Sequence, residues 1–465
     1  MKYRVEHDLL GKKELPEEAY WGIHTLRAAE NFRISGRTTD LLLIKKMSLV
    51  KKACAQANAE LGYLNPEIAR AIDQACEDIN SGKLDDQFIV DSLQGGAGTS
   101  TNMNVNEVIA NRSLEILGKD KGDYEFCHPI EQVNLHQSTN DTYPTAMKMA
   151  CIDGVRRLSI AAEKLQGSLQ KKEKEFSSIV TIGRTEMQEA VPITLGAQFS
   201  SFADAIARDR WRTFKCEERL RVVNIGGTAV GTGLTAPRRY IFLVIEKLRQ
   251  LSGYGLTRGE NVMDQTANAD TFVEVSGILT AHSSNIIKIC KDIRTLHFTG
   301  EIVLPAVQSG SSIMPGKVNP VIMEAVIEAG IKVNANHQII SQCAAMGSLQ
   351  INEFLPLIAE AVLESLRILI AADTMLSAHI ESIQAVPEKC ETFANGSLTL
   401  ITAFLPYIGY EQAEKLIREY VVSGKHNFRE FLTEKLGNET VDKVLSPSNL
   451  VSLGYNERKI NSESK

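Results

Sequence analysis

The sequence predicts an all-α protein built on a bundle of long helices, and three observations carry that prediction. Apolar residues recur at helical spacing through five segments, roughly 145–176, 194–223, 268–297, 320–348 and 353–386. Helices of about 30 residues reach about 45 Å. Strand-like alternation is scarce, and no strand–helix–strand rhythm supports a parallel sheet. Several segments, such as Phe354-Leu355-Pro356-Leu357-Ile358 and Leu366-Arg367-Ile368-Leu369-Ile370, are apolar on more than one face. Such helices normally cover their second face against another subunit.

With 465 residues the chain has room for two or three domains. Where helix length changes, the boundaries suggest an N-terminal domain (1–140), a central long-helix bundle domain (141–390) and a small C-terminal helical domain (391–465). Hydrophobic residues at 43% and charged residues at 23% are ordinary for a globular protein. A net charge of −6, spread over both signs, offers no basic stripe for nucleic acid. No apolar run approaches the ~18 residues of a membrane span. The opening Met1-Lys2-Tyr3-Arg4-Val5-Glu6-His7-Asp8 lacks the apolar core of a signal peptide, so a cytoplasmic location is expected. Cysteines 54, 76, 127, 151, 216, 290, 343 and 390 form no CxxC pair and no zinc spacing, which reads as reduced, buried thiols. The histidines show no HExxH or clustered spacing, so no metal site is expected.

Taken in order, residues 1–40 are turn-rich and read as a surface-wrapping arm. A helix follows over about 41–61. A second begins at Asn65-Pro66, a cap followed by proline at the first helical position, and stops at Asn80-Ser81-Gly82. The run Gly95-Gly96-Ala97-Gly98-Thr99-Ser100 opens a helix over about 101–117, with Thr99 just before its first turn, where anions are favoured. Gln137-Ser138-Thr139-Asn140-Asp141-Thr142-Tyr143-Pro144 is a second hydroxyl cluster, and an ordinary helix start has the same composition. Gly183-Arg184-Thr185-Glu186-Met187-Gln188-Glu189 lies between two long helices, as does Gly226-Gly227-Thr228-Ala229-Val230-Gly231-Thr232-Gly233. The latter follows a helix and has the wrong glycine spacing for a dinucleotide fingerprint. After Pro387 the helices shorten, a compact piece begins near Tyr407-Ile408-Gly409-Tyr410, and a polar tail occupies 456–465.

Most functional information sits in Gly310-Ser311-Ser312-Ile313-Met314-Pro315-Gly316-Lys317-Val318-Asn319-Pro320. A phosphate loop would need four residues between its glycines and Ser or Thr after the lysine, whereas five lie here and Val318 follows Lys317. Asn319 and Pro320 read as the cap and first residue of the next helix. Composition alone leaves an ordinary connector and a functional loop both open.

This stretch resembles the signature loop of the aspartase/fumarase superfamily, lyases that eliminate a group from a C4 dicarboxylate or related succinyl compound. The resemblance runs from about residue 4 to about 455 and includes Gly22-Ile23-His24-Thr25, the Gly95–Ser100 run, Ser138-Thr139-Asn140 and the 226–233 bend. Ser-Thr-Asn favours the aspartases over the fumarases, which show Ser-Ser-Asn. The resemblance implies a homotetramer with a central multi-helix core and active sites shared between subunits. It implies ammonia elimination from L-aspartate without an organic cofactor, with Ser311 as the base. The substrate, a small amino acid or dicarboxylate, would meet Thr99, Ser138, Thr139, Asn140, Thr185, Glu186, Ser312, Lys317 and Asn319.

Hydroxyls from Thr99, Ser138, Thr139 and Ser312 suit the carboxylate oxygens on which charge accumulates as the proton leaves carbon. Lys317 suits the other carboxylate, and the amides of Asn140 and Asn319 suit the amino group. Two departures from the pattern bear on the substrate. Glu186 stands where relatives carry His or Gln, and Glu324 matches the glutamate that pairs with that histidine, so two carboxylates are expected to be neighbours, one with a raised pKa. Leu296-His297-Phe298-Thr299-Gly300-Glu301-Ile302 lacks the Gly-Pro-Arg common in aspartases. A sister lyase acting on another amino acid, or on an N-substituted aspartate with an extra cationic group, therefore stays open. A hydratase fits less well, and a protein recruited for a structural role would be expected to have lost part of the site.

Overall fold

The computed structural model describes residues 2–455; the polar tail at 456–465 lies outside them. The N-terminal arm is more ordered than expected: strands β1 (Tyr3–Asp8) and β2 (Gly11–Pro16) pair antiparallel, and helix α1 (Ile23–Asn31) follows. Polar anchors, which leave no hydrophobic period to read, hold this segment. Arg4 donates to the carbonyls of Ala19 and Trp21 at 2.7 Å each. The buried carboxylates of Glu6 and Glu107 accept from Ile23 N (2.9 Å) and Gly22 N (2.8 Å) at the start of α1, where anions are favoured.

Helix α2 (Leu41–Glu60) is capped by Asp40, which accepts from Leu42 N at 2.9 Å, and α3 (Pro66–Asn80) by Asn65, as its sequence indicates. Helix α4 (Thr99–Ile116) starts two residues earlier than expected. The five long helices are α5 (Thr139–Glu175), α6 (Leu195–Leu220), α9 (Asp270–Thr299), α10 (Val321–Ala345) and α11 (Leu355–Glu381), with α7 (Arg238–Ser252) and α8 (Val262–Ala267) between α6 and α9. Before α6, strands β3 (Val180–Thr185) and β4 (Gln188–Thr194) form an antiparallel hairpin that the sequence reading left as a connector.

The start of α5 differs instructively from the expected position after Pro144. Proline lacks the N–H that would bond the carbonyl four residues back. That carbonyl, Asn140 O, instead accepts from the side chain of Asn224 at 2.9 Å, so the helix extends back through Pro144 to Thr139.

By contacts the chain separates into two compact units. One comprises Met1–Ser159, Trp211–Ser283 and Ile331–Leu369; the other comprises Ile160–Arg210, Ser284–Gly330 and Ile370–Lys465. In the first, residues such as Ile44, Met47, Val50, Ile72, Ile79, Val108 and Ile109 are buried, and Gly154 of α5 lets Leu366 of α11 approach so closely that a Cβ would meet it at 2.7 Å. In the second, Phe176, Phe199 and Phe202 pack edge to face at 5.2 and 5.7 Å. A separate cluster there gathers Leu400, Phe404, Phe428, Phe431 and Leu432 in the short helices after Pro387. Burying one such side chain contributes roughly 1.5–3 kcal/mol.

The apolar second face expected on 353–386 is largely covered within the chain, since Leu355, Ile358, Leu366 and Leu369 are buried. All eight cysteines are free and buried, and burial pushes the thiols of Cys54 and Cys76 up to about 12, far from a reactive thiolate. Among the described residues no helix is long and apolar enough to cross a membrane, and no group of three or more His, Cys, Asp or Glu side chains is placed to hold a metal ion.

Candidate active site

In the first unit, three consecutive residues with positive φ, Gly96 (85°), Ala97 (55°) and Gly98 (91°), lead into α4. Position 98 admits only glycine, because a Cβ would lie 2.4 Å from the ring of Tyr143. Tyr143 belongs to α5 and is buried, so this contact stacks the first two sequence motifs on each other. Thr99 is the first residue of α4 and is exposed, with its hydroxyl donating to Gly96 O at 2.7 Å.

Ser138, Thr139 and Asn140 form the entry to α5. Ser138 Oγ accepts from Asn140 N at 3.2 Å, and Asn140 Nδ2 donates to Ala229 O at 2.7 Å in the 226–233 bend. That bond orients the amide, leaving Oδ1 without a donor among the described residues. Asp141, fully buried, accepts from Ser138 N at 3.0 Å and from Thr228 N at 2.9 Å, and so ties the motif to the bend. Burial pushes its carboxyl up to about 6, against the backbone N–H groups of Ser138, Thr228 and Gly226 and the Lys51 charge, which pull it down. Lys51 is itself completely buried; its ammonium donates to Asn134 Oδ1 at 2.7 Å, and burial holds its pKa down at about 8.

In the second unit, Thr185 and Glu186 occupy the tip of the β3–β4 hairpin. Glu186 (φ 52°) and Met187 (φ 62°) form its two-residue turn in the left-handed region usually given to Gly or Asn. Both are exposed, and Glu186 makes no ion pair with any described residue. It lines a cleft of about 380 Å³ together with Arg184, Lys288 and Asp292. Glu324 faces a neighbouring cleft of about 630 Å³, which it lines with Lys291, Arg294, His297 and Asn319. Its charge partner is Arg294, at 3.3 Å. The neighbouring carboxylates expected from the sequence are not a bonded pair: Arg294 takes the place opposite Glu324.

The signature loop has a pinned neck. Gly310 N donates to Lys317 O at 2.8 Å, and Asn319 Nδ2 donates to Gly310 O at 2.8 Å. A Cβ at position 310 would lie 2.7 Å from Lys317 O, so a side chain there would open the neck. Asn319 was expected to cap α10, yet its Nδ2 points back into the loop, and α10 begins at Val321. Ser311 Oγ accepts from Ile313 N at 3.2 Å and from Met314 N at 2.9 Å. Ser312 and Lys317 are exposed, and Lys317 has no ion-pair partner among the described residues. Two backbone N–H groups aimed at one hydroxyl oxygen favour negative charge on it.

The sequence-predicted residues thus divide between the units: Thr99 and 138–140 lie in the first, while 185–186 and 311–319 lie in the second, with Glu186 and Asn319 lining separate clefts. Sequence reasoning missed Asp141, Asn224, Lys51 and Glu301. Asp141 had a signal, an acid in the first turn of a helix directly after the motif. The others, Asn224 in an apolar run, Lys51 in a lysine pair and Glu301 in a connector, are recognisable only once their burial is known.

A family described as Lyase matches residues 11–334. The chain is 40% identical to an aspartate ammonia-lyase of Helicobacter pylori over 461 residues, covering 97% of this chain and 98% of that protein. It is 43% identical to an aspartate ammonia-lyase of Pseudomonas fluorescens, over 97% of this chain and 96% of that protein. Among solved structures, a fumarate lyase:delta crystallin from Brucella melitensis bound to cobalt matches with a TM-score of 0.93 at 41% identity, covering 97% of this chain and all of that one (100%).

Proposed function

The chain belongs to the aspartase/fumarase superfamily of lyases, and from that premise we propose that it eliminates ammonia from L-aspartate to give fumarate, with Ser311 as the base. The observation that carries the reading is near-40% identity along almost the whole chain to proteins named aspartate ammonia-lyase, with Ser138-Thr139-Asn140, Ser311, Lys317 and Asn319 all present.

The carbon next to the side-chain carboxylate is a weak acid, so catalysis rests on stabilising the enediolate that forms as Ser311 takes the proton. The N–H groups of Ile313 and Met314 support the alkoxide this requires. The electron pair left on carbon then forms the double bond, and the carbon–nitrogen bond breaks with its pair leaving on nitrogen. Ser138, Thr139 and Ser312 supply hydroxyl donors for one carboxylate, joined by Thr99 once its hydroxyl turns from Gly96 O, and Lys317 supplies the charge for the other. An ammonium only donates, so it pairs with the Oδ1 atoms of Asn140 and Asn319, whose Nδ2 atoms are already engaged with Ala229 O and Gly310 O.

The proposal includes a homotetramer in which sites are shared between subunits, with the 1–140, 141–390 and 391–465 segments as its domains. Exposed Trp211 (64%) and Phe214 (62%) on α6 and Ile331 (58%) on α10 are the apolar surface it would cover.

The test is absorbance of the conjugated product with L-aspartate, and its loss when fumarate and ammonium are supplied. A folded protein that forms no fumarate from aspartate overturns the reading, and turnover of malate in its place makes the enzyme a hydratase. The unpaired carboxylate of Glu186 favours a second reading, an aspartate bearing an extra cation. Glu186→Gln would then cost about ten-fold or more in specificity for that substrate, the equivalent of one charge-assisted hydrogen bond. It would leave plain aspartate unaffected or improved. Efficient aspartate turnover that drops in Glu186→Gln ends this second reading.

A further inference from the structure

The hairpin that carries Thr185 and Glu186 is anchored from below by a carboxylate the reaction does not use. Glu301 is completely buried. It binds the guanidinium of Arg184 at 2.7 Å and accepts from the hydroxyls of Thr299 (2.6 Å) and Thr181. Its own backbone is fixed as well: Glu301 O accepts from Val386 N at 2.9 Å, and the next residues, Ile302–Val303, pair antiparallel with Gln384–Ala385. The Arg184 cation also sits 4.9 Å from the centre of the Phe393 ring.

Strand geometry explains how Arg184 comes to face inward. The register slips between Ile182 and Arg184, so that Gly183 lies opposite both Ala190 and Val191, and a bulge of this kind re-aims the side chains beside it. The inward arginine is immediately followed by the exposed tip.

We infer that Glu301 is a positioning residue for substrate specificity: through Arg184 it sets the place of Thr185 and Glu186 at the hairpin tip. A half-buried guanidinium that loses its carboxylate is free to turn toward the cleft it lines, and the strand end that carries Thr185 and Glu186 then loses its anchor. Because the inference rests on the proposed contact of Thr185 and Glu186 with substrate, two separate readouts are needed.

The first is amide hydrogen exchange of residues 184–189, which needs no activity. Glu301→Gln is expected to speed exchange there about ten-fold with the long helices unchanged, and Glu301→Asp to give an intermediate value. The second is kinetic. Glu301→Gln should raise KM for aspartate about ten-fold while kcat stays within about three-fold, the pattern of lost ground-state binding. In a Thr185→Val/Glu186→Gln background the same change should alter KM less than about two-fold, because the contacts it positions are gone.

Unchanged exchange at the tip overturns the inference. So does a KM effect that persists in the background variant, or a folded Glu301→Gln protein with wild-type KM. Failure of both Glu301→Gln and Glu301→Asp to fold makes the residue structural and equally ends it. If the wild type turns over no aspartate, the proposed function falls, while the exchange experiment still decides whether Glu301 holds the tip.

Discussion

The two hydroxyl-bearing regions of the chain are built in opposite ways. Around Ser138–Thr142 the polar groups are sunk into the first unit: Thr139 is 8% exposed, Asp141 and Thr142 are fully buried, and the backbone is tied by Asp141 and Asn140 to the 226–233 bend. The signature loop of the second unit is fastened only at its neck, and it carries Ile313 at 84% exposure and an unpaired Lys317 into solvent. A buried polar group that lacks a partner is costly, so the buried Asp141 carboxylate is fully engaged with backbone N–H groups and fixes the geometry of the region. The second region pays no such penalty, which leaves it free to rearrange around a ligand. The proposed binding groups of the first unit are held in place, and the proposed base rides on the less constrained loop of the second.

The largest effect that tests this contrast is Ser311→Ala. With Ser311 as base, kcat should fall about 10²–10⁴-fold. The exposed loop should leave unfolding free energy within about 0.5 kcal/mol of the wild type. Turnover near the wild-type rate would move the base elsewhere.

Asp141→Ala should do the reverse and act chiefly on stability. It strips the acceptor from Ser138 N and Thr228 N and removes a carboxylate whose charge acts on buried Lys51, so denaturant unfolding should show a loss of about 3–5 kcal/mol. Lys317→Met serves as the control from the other region. Stability should change by under about 0.5 kcal/mol, while KM for aspartate rises about ten-fold or more. Equal stability losses in the two variants would erase the distinction between the regions.

A smaller effect appears in the pH dependence. Lys51 has a folded-state pKa of about 8, below its ordinary 10.5, because burial disfavours its charge. Between those values the unfolded chain holds the proton and the folded chain releases it, so stability rises as pH increases through that window, by up to roughly 3 kcal/mol from this group. Lys51→Met should remove that share. Lys148, buried and likewise held at about 8, adds a similar rise, whereas buried thiols such as Cys54 and Cys76, held at about 12 against an ordinary 9, pull stability down above about pH 9, so the share of Lys51 is read as the difference between variant and wild type. Urea unfolding at about pH 7 and about pH 10 measures both, and identical slopes in variant and wild type would show that Lys51 is not the titrating group.

How much of this was legible beforehand depended on whether the signal was local. The apolar period placed α2, and the Asn65-Pro66 cap placed α3, to within a residue or two, because each signal acts on its own neighbours. The hairpin at 180–194 was not legible. Its turn uses Glu186 and Met187 at positive φ in place of Gly or Asn, and its inward anchor is a charge, Arg184, whose partner Glu301 lies over a hundred residues away. The N-terminal arm escaped for the same reason, being held by Arg4, Glu6 and Glu107. Likewise, Pro144 gave a correct local rule and a wrong boundary, because the carbonyl it frees is satisfied by Asn224 from a distant bend.

By itself, then, the sequence determined the helical class, the starts of α2, α3 and four of the five long helices to within about two residues, and the identity of the hydroxyl, amide and lysine groups, because each rests on residue type and short-range spacing. Only the tertiary structure decided which groups are buried, that Arg294 stands opposite Glu324, that Asp141 ties residues 138–140 to the 226–233 bend, and that Glu301 pairs with Arg184. The physical reason is that a charge's role is set by its desolvation and its partner, and both are properties of chain segments brought together by folding.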